Sequence, residues 1–109
     1  MSMNPQNMQK MMRQVQKMQE DMARVQEELR DERVEAEAGG VVKTVFNGHG
    51  EIQSIRIQKE AVDPEDVEML QDLVLAAVRE GQAKAQKLAQ DRMGQITNNM
   101  RIPGMPGLF

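Results

Sequence analysis

Residues 34–58, VEAEAGGVVKTVFNGHGEIQSIRIQ, limit the folds open to this chain more than any other stretch. Val34, Ala36 and Ala38 alternate with Glu35 and Glu37, the period of a strand with one apolar face. Gly39-Gly40 permits a tight reversal, because glycine accepts positive φ without a steric penalty. Val41 to Phe46 is β-branched and aromatic, which suits a pleated, half-buried surface. Asn47-Gly48-His49-Gly50 is a hairpin signal, and Ile52, Ile55 and Ile57 mark a returning strand. The step from Ile52 to Ile55 breaks strict alternation, so a bulge or a sheet with apolar groups on both faces is expected. Three short antiparallel strands do not stand alone in water; flanking helices must cover them.

Both flanks read as long helices. Asn4 is an N-cap candidate with Pro5 at the first helical position. Met8, Met11, Val15, Met18, Met22, Val25 and Leu29 then recur at alternating steps of three and four, a narrow heptad stripe on a polar helix. Such a helix needs a partner along one seam. Asp63-Pro64-Glu65-Asp66 opens the second helix, with Asp63 as N-cap. Its first half, through Leu70, Leu73, Val74, Ala77 and Val78, is apolar on most sides. A helix apolar all round is buried all round. The sheet can cover one side, so a second copy of the chain is the simplest cover for the other. Ala77, Gly81, Ala85 and Ala89 form a small-residue track at a spacing of four, which would let two helix backbones approach. The expected dimer interface is therefore Leu70, Leu73, Val74, Ala77, Val78 and Gly81. Farther on, Leu88, Met93 and Ile96 can pair with the stripe of the first helix, giving an antiparallel arm that projects from the sheet.

The expected fold is α+β: a helix over 5–32, strands within 34–58 and a helix over 64–97, forming one domain over residues 1–97. Asn98-Asn99 ends the helix, and residues 98–109 form a tail with two Pro-Gly segments and no periodicity, expected to be flexible.

Charge is distributed unevenly. The net charge is −3, but residues 1–26 carry four bases against two acids, residues 27–72 five against thirteen, and residues 73–109 five against two. Both ends are basic and the middle is acidic. Lys10, Arg13, Lys17 and Arg24 on the first helix, with Lys84, Lys87 and Arg92 on the second, are the candidate phosphate contacts. Gln9, Gln14 and Gln16 are candidates for base-edge or sugar contacts, although exposed glutamines are more often only solvated. Phe46 and Phe109 are the only aromatic residues, which argues against stacking platforms for single strands and against sheet-based RNA readers.

Other chemistries find little support. The chain has no cysteine, hence no disulfide framework and no thiolate metal site. Met8, Met11 and Met12 sit at helical spacing and thioethers suit copper(I), but adaptable packing explains them more simply. His49 has no second histidine to share a metal and no evident nucleophile to serve, so it reads as a turn residue. No phosphate-binding glycine loop or catalytic carboxylate pair is present, so no enzyme, cofactor or small-molecule substrate is expected. MSMNPQNMQK lacks the apolar block of a signal peptide, and no apolar run is long enough to span a bilayer. A soluble cytoplasmic protein without membrane contact is expected.

A Met/Gln-rich first helix, then EAGGVVKTVFNGHGEIQSIRI, then VDPEDVEMLQDLVLAAVREGQAKAQKLAQDRMGQIT, resembles the YbaB/EbfC family of bacterial nucleoid-associated proteins over nearly the whole chain. Gly39-Gly40-Val41 departs from the pattern, since many members carry three glycines there. The resemblance implies a tweezer-shaped homodimer whose helical arms bind double-stranded DNA. It also implies a nucleoid location, roles in nucleoid organisation, gene regulation or DNA protection, and a link to recombination-repair proteins. The rival reading is a prefoldin-like chaperone or protein scaffold with Met-lined arms. A holder of unfolded chains has no need to gather basic residues at its arm ends.

Overall fold

The computed structural model describes residues 4–99. The order is α1 (Pro5–Asp31), β1 (Arg33–Ala38), β2 (Val42–Asn47), β3 (Ile52–Ile57), a 3-10 turn (Lys59–Ala61) and α2 (Val67–Asn99). The strands form one antiparallel sheet in the order β1-β2-β3. Ten residues of the expected tail, 100–109, lie outside the described part, and α2 runs to its last residue, Asn99.

Local chemistry sets the boundaries. The Asn4 side chain accepts from Asn7 N at 2.8 Å, and Pro5 follows it, so α1 starts as expected. Gly39 and Gly40 both have positive φ, and Val41 N donates to Ala38 O at 3.2 Å to close the β1–β2 turn. Two glycines suffice, because Val41 itself stays out of the left-handed region. The start of α2 differs from the expectation. Asp66, not Asp63, caps it, accepting from Met69 N at 3.2 Å. Asp63 instead holds a preceding turn: its Oδ1 accepts from Glu65 N at 2.9 Å and its carbonyl from Asp66 N at 3.0 Å.

The β2–β3 pairing contains the bulge. Val45 pairs with Ser54 and Phe46 with Ile52, leaving Gln53 without an opposite residue. That extra residue restores the alternation: Ile52, Ile55 and Ile57 stand opposite Phe46, Thr44 and Val42 and share their face of the sheet.

α2 covers that face only in part. It packs on β1 and β2, burying Ala36, Val42, Thr44 and Phe46, whereas every residue of β3 stays exposed. The helix comes close because it is small on this side. Ala77, Gly81 and Ala85 are buried, and Thr44 Oγ1 donates to Ala77 O at 2.7 Å. A Cβ on residue 81 would collide with the Phe46 ring. The small-residue track thus seats α2 on its own sheet rather than on a second chain. Leu73 also turns inward, over the Gly39 turn.

Beyond the sheet, α1 and α2 form an antiparallel pair. Val25, Leu29 and Ile96 are its core, with Met18, Leu88, Ala89 and Met93 packed around them. The hairpin tip anchors this pair to the sheet. Gly48 N donates to Leu29 O at 2.8 Å, and His49 Nε2 lies 2.6 Å from Gln26 O. A carbonyl oxygen only accepts, so Nε2 carries the proton. Asn47 shapes the same turn, accepting at Oδ1 from the backbone N–H groups of His49 and Glu51. The result is elongated, 75 × 25 × 15 Å. Among the described residues, no helix is long and apolar enough to cross a membrane.

Candidate nucleic-acid interface

The structure divides the seven candidate phosphate contacts into two groups. Lys10, Arg13 and Lys17 lie on the N-terminal part of α1, on the far side of Met18 from the sheet, where α1 leaves the core it shares with α2. Their spacing of three and four places them on one side of the helix, about opposite the Met8, Met11 and Val15 stripe. No acidic residue precedes Glu20, and none of the three makes a salt bridge among the described residues. Gln14 falls on the same side by spacing, whereas Gln16 lies beside the Met groove.

The other four are engaged. Arg92 reaches across from α2 to Glu28 and Glu32 of α1, with both terminal nitrogens used and the side chain only 24% exposed. It is a clamp between helices. Arg24 pairs with Asp21 at 2.8 Å and Glu28 at 3.5 Å on its own helix. Lys84 donates to the carbonyl oxygen of Glu35 in β1 at 2.9 Å and lies 3.7 Å from Glu80. It therefore sits at the root of the arm, not at its far end. Lys87 lies 3.6 Å from Asp91 but remains largely in solvent, where such a pair competes weakly with a phosphate. The expected gathering of all these bases at one arm end is thus replaced by a tip that carries three of them and a shaft where the rest are paired. Glu28 and Glu32, one turn apart, carry the spacing that would have marked them as partners for a base on a facing helix.

A second surface lies on the body. Leu70, Val74 and Val78 of α2 line a shallow apolar depression with Leu75, Gln71 and Ile57. Ile52 and Ile55 continue it along β3, each 46% exposed. The β3 isoleucines and Leu75 were not expected here from sequence; the bulge that aligns the isoleucines with the α2 side of the sheet is the signal for them. No cluster of three or more histidine, cysteine or acidic groups that could hold a metal occurs among the described residues.

Comparison with known proteins assigns the chain. The family model described as the YbaB/EbfC DNA-binding family matches residues 3–100. A nucleoid-associated protein of Pelotomaculum thermopropionicum is 60% identical over 100 residues, covering 91% of this chain and 95% of that protein. One from Bacillus cereus is 52% identical over 104 residues, covering 94% of each. Among solved structures, an uncharacterized protein, HP0035, from Helicobacter pylori has the same fold, with a TM-score of 0.58 at 24% identity, covering 80% of this chain and 98% of that one. The chain belongs to the YbaB/EbfC DNA-binding family.

Proposed function

We infer that this protein is a nucleoid-associated protein that binds double-stranded DNA as a homodimer and alters its conformation. The observation that carries the reading is the exposed N-terminal part of α1, where Lys10, Arg13 and Lys17 share one side and make no salt bridge among the described residues. Binding there releases condensed counterions from the phosphates, while the acidic body repels the duplex from the core. Base-edge readout has little material at this tip beyond glutamine, so affinity depends weakly on sequence. Family membership supports DNA as the partner, and the printed names of the relatives support a nucleoid location.

The apolar face of the body supports the dimer. The apolar depression of Ile57, Leu70, Val74, Leu75 and Val78, extended by Ile52 and Ile55, is too continuous to leave in water. A second copy covers it and holds two arms in one particle, so that two tips engage one duplex and bend or bridge it. Nucleoid organisation, gene regulation and DNA protection are the roles this activity suits.

A mobility-shift titration with duplex DNA, run in parallel with an unfolded client protein, tests the reading. Duplex DNA should be retarded and the unfolded chain left free. Capture of the unfolded chain with no shift of duplex would favour a chaperone and overturn it.

A further inference from the structure

The α1 stripe is covered in part where α2 faces it, with Met22 still 40% exposed. Met18, Val25 and Leu29 pack against Leu88, Ala89, Met93 and Ile96. Past that level the same stripe continues through Val15, Met11, Met12 and Met8, which are 45%, 43%, 68% and 52% exposed. Met11, Met12 and Val15 line an apolar groove with Gln16 and Gln19. The bare segment lies within residues 5–17 of α1, about 20 Å of helix.

The chain itself supplies a cover of suitable length and direction. The helices are antiparallel, so α2 points at Asn99 toward the Pro5 end of the bare stripe. Ten residues follow, MRIPGMPGLF. Pro103 and Pro106 disfavour a helix through this sequence, since proline lacks the amide donor and its ring crowds a preceding helical turn. Neither helical nor strand periodicity is present, but Ile102, Met105 and Leu108 stand three apart, with Pro-Gly after each of the first two. Three residues per turn is the repeat of the polyproline II helix, which would align these three apolar groups on one edge. At about 3.1 Å per residue the segment reaches about 30 Å, enough to cover the stripe.

We propose that residues 100–109 dock along the Met8, Met11, Met12 and Val15 face of α1 and extend the seam that α2 begins. Tethering presents the segment at an effective concentration in the millimolar range, so a modest apolar contact suffices. Flexible methionine side chains accept an irregular partner without a matched set of holes. Docking there leaves the opposite, basic side of α1 open. The segment would stiffen the tip without competing for phosphate.

The test uses the full chain, which has no native cysteine. In a Met12→Cys/Met105→Cys variant, mild oxidation should give an intrachain disulfide. Adding Ile102→Asp and Leu108→Asp should slow its formation about tenfold. In the chain without cysteines, the same two aspartates should shift the 13C-methyl resonances of Met8, Met11 and Met12 and leave that of Met69 in place. Disulfides forming mainly between chains would mean that a second copy occupies the groove, and would overturn the proposal. An equal crosslinking rate with and without the aspartates, or unmoved methionine methyls, would also overturn it, since a free tether would then account for the contact.

Discussion

The Phe46 ring fills the space that a side chain on residue 81 would need. A Cβ built there meets ring carbons Cε1 and Cδ1 below contact distance and stands 3.0 Å from Thr44 Oγ1. Alanine is the better helix former by about 1 kcal/mol, yet overpacking a core costs about 1–3 kcal/mol, so Gly81→Ala should destabilise on balance. Gly94 is the internal control, because a Cβ there meets nothing within 4 Å. Gly94→Ala should stabilise by up to about 1 kcal/mol. Thermal unfolding of the two variants should therefore move in opposite directions from the parent.

Arg92 yields a prediction that separates stability from binding. It neutralises Glu28 and Glu32 across the α1–α2 seam in a half-buried setting. Arg92→Gln leaves two carboxylates one turn apart with no base between the helices. The expected loss is about 1–2 kcal/mol, above a surface pair and below a fully buried one. Amide exchange in residues 20–31 should speed up. DNA affinity at a temperature where the variant is folded should stay within about threefold of the parent, since this guanidinium is already occupied. A loss of affinity matching that of the tip variants would show that Arg92 contacts phosphate directly.

Much of the fold was legible because local signals agreed with one another. The period-two run of Val34 to Ala38, the left-handed Gly39-Gly40 and the Asn47–Gly50 turn all pointed to the same three strands. The heptad stripe gave α1 its seam, and Leu88, Met93 and Ile96 met it as their spacing implied. What sequence left open were choices between partners. Glycine and alanine at a spacing of four permit close approach to any flat surface, and only the fold shows that this surface is the Phe46–Thr44 face of the same chain. Likewise a base on a helix can meet phosphate or carboxylate. Arg92 and Lys84 found acceptors within the protein because α1 and β1 pass alongside them, whereas Lys10, Arg13 and Lys17 meet no carboxylate partner among the described residues.

The body face offers a test of assembly that does not disturb the protomer. Ile55 and Leu75 are exposed in the single chain, at 46% and 47%. Replacing either by aspartate should change protomer stability by only about 0.5 kcal/mol or less. Buried in a dimer, the same carboxylate would lie unpaired against apolar surface, a strongly unfavourable arrangement. Light scattering should give about twice the chain mass for the parent and one chain mass for Ile55→Asp or Leu75→Asp, with circular dichroism unchanged. A parent that is monomeric at micromolar concentration would exclude the two-armed particle.

The last prediction places the duplex. Reversing Lys10, Arg13 and Lys17 together to glutamate should abolish binding at physiological salt, while dimer mass and helix content remain. Parent affinity should fall with salt at a slope of about −0.9 per phosphate neutralised, and neutral replacement of these residues by glutamine should flatten that slope by about one unit for each contact removed. Lys87→Glu should weaken binding less than the tip triple does, because Lys87 already has Asp91 at 3.6 Å. Arg56→Glu with Lys59→Glu should have little effect, since these residues lie on the acidic body. The control matters because the body also presents bases: Lys43 and Arg56 stand opposite one another on the sheet face that α2 does not cover. Retained binding in the tip triple together with loss in the Arg56/Lys59 variant would move the DNA from the arms to the open face of the sheet.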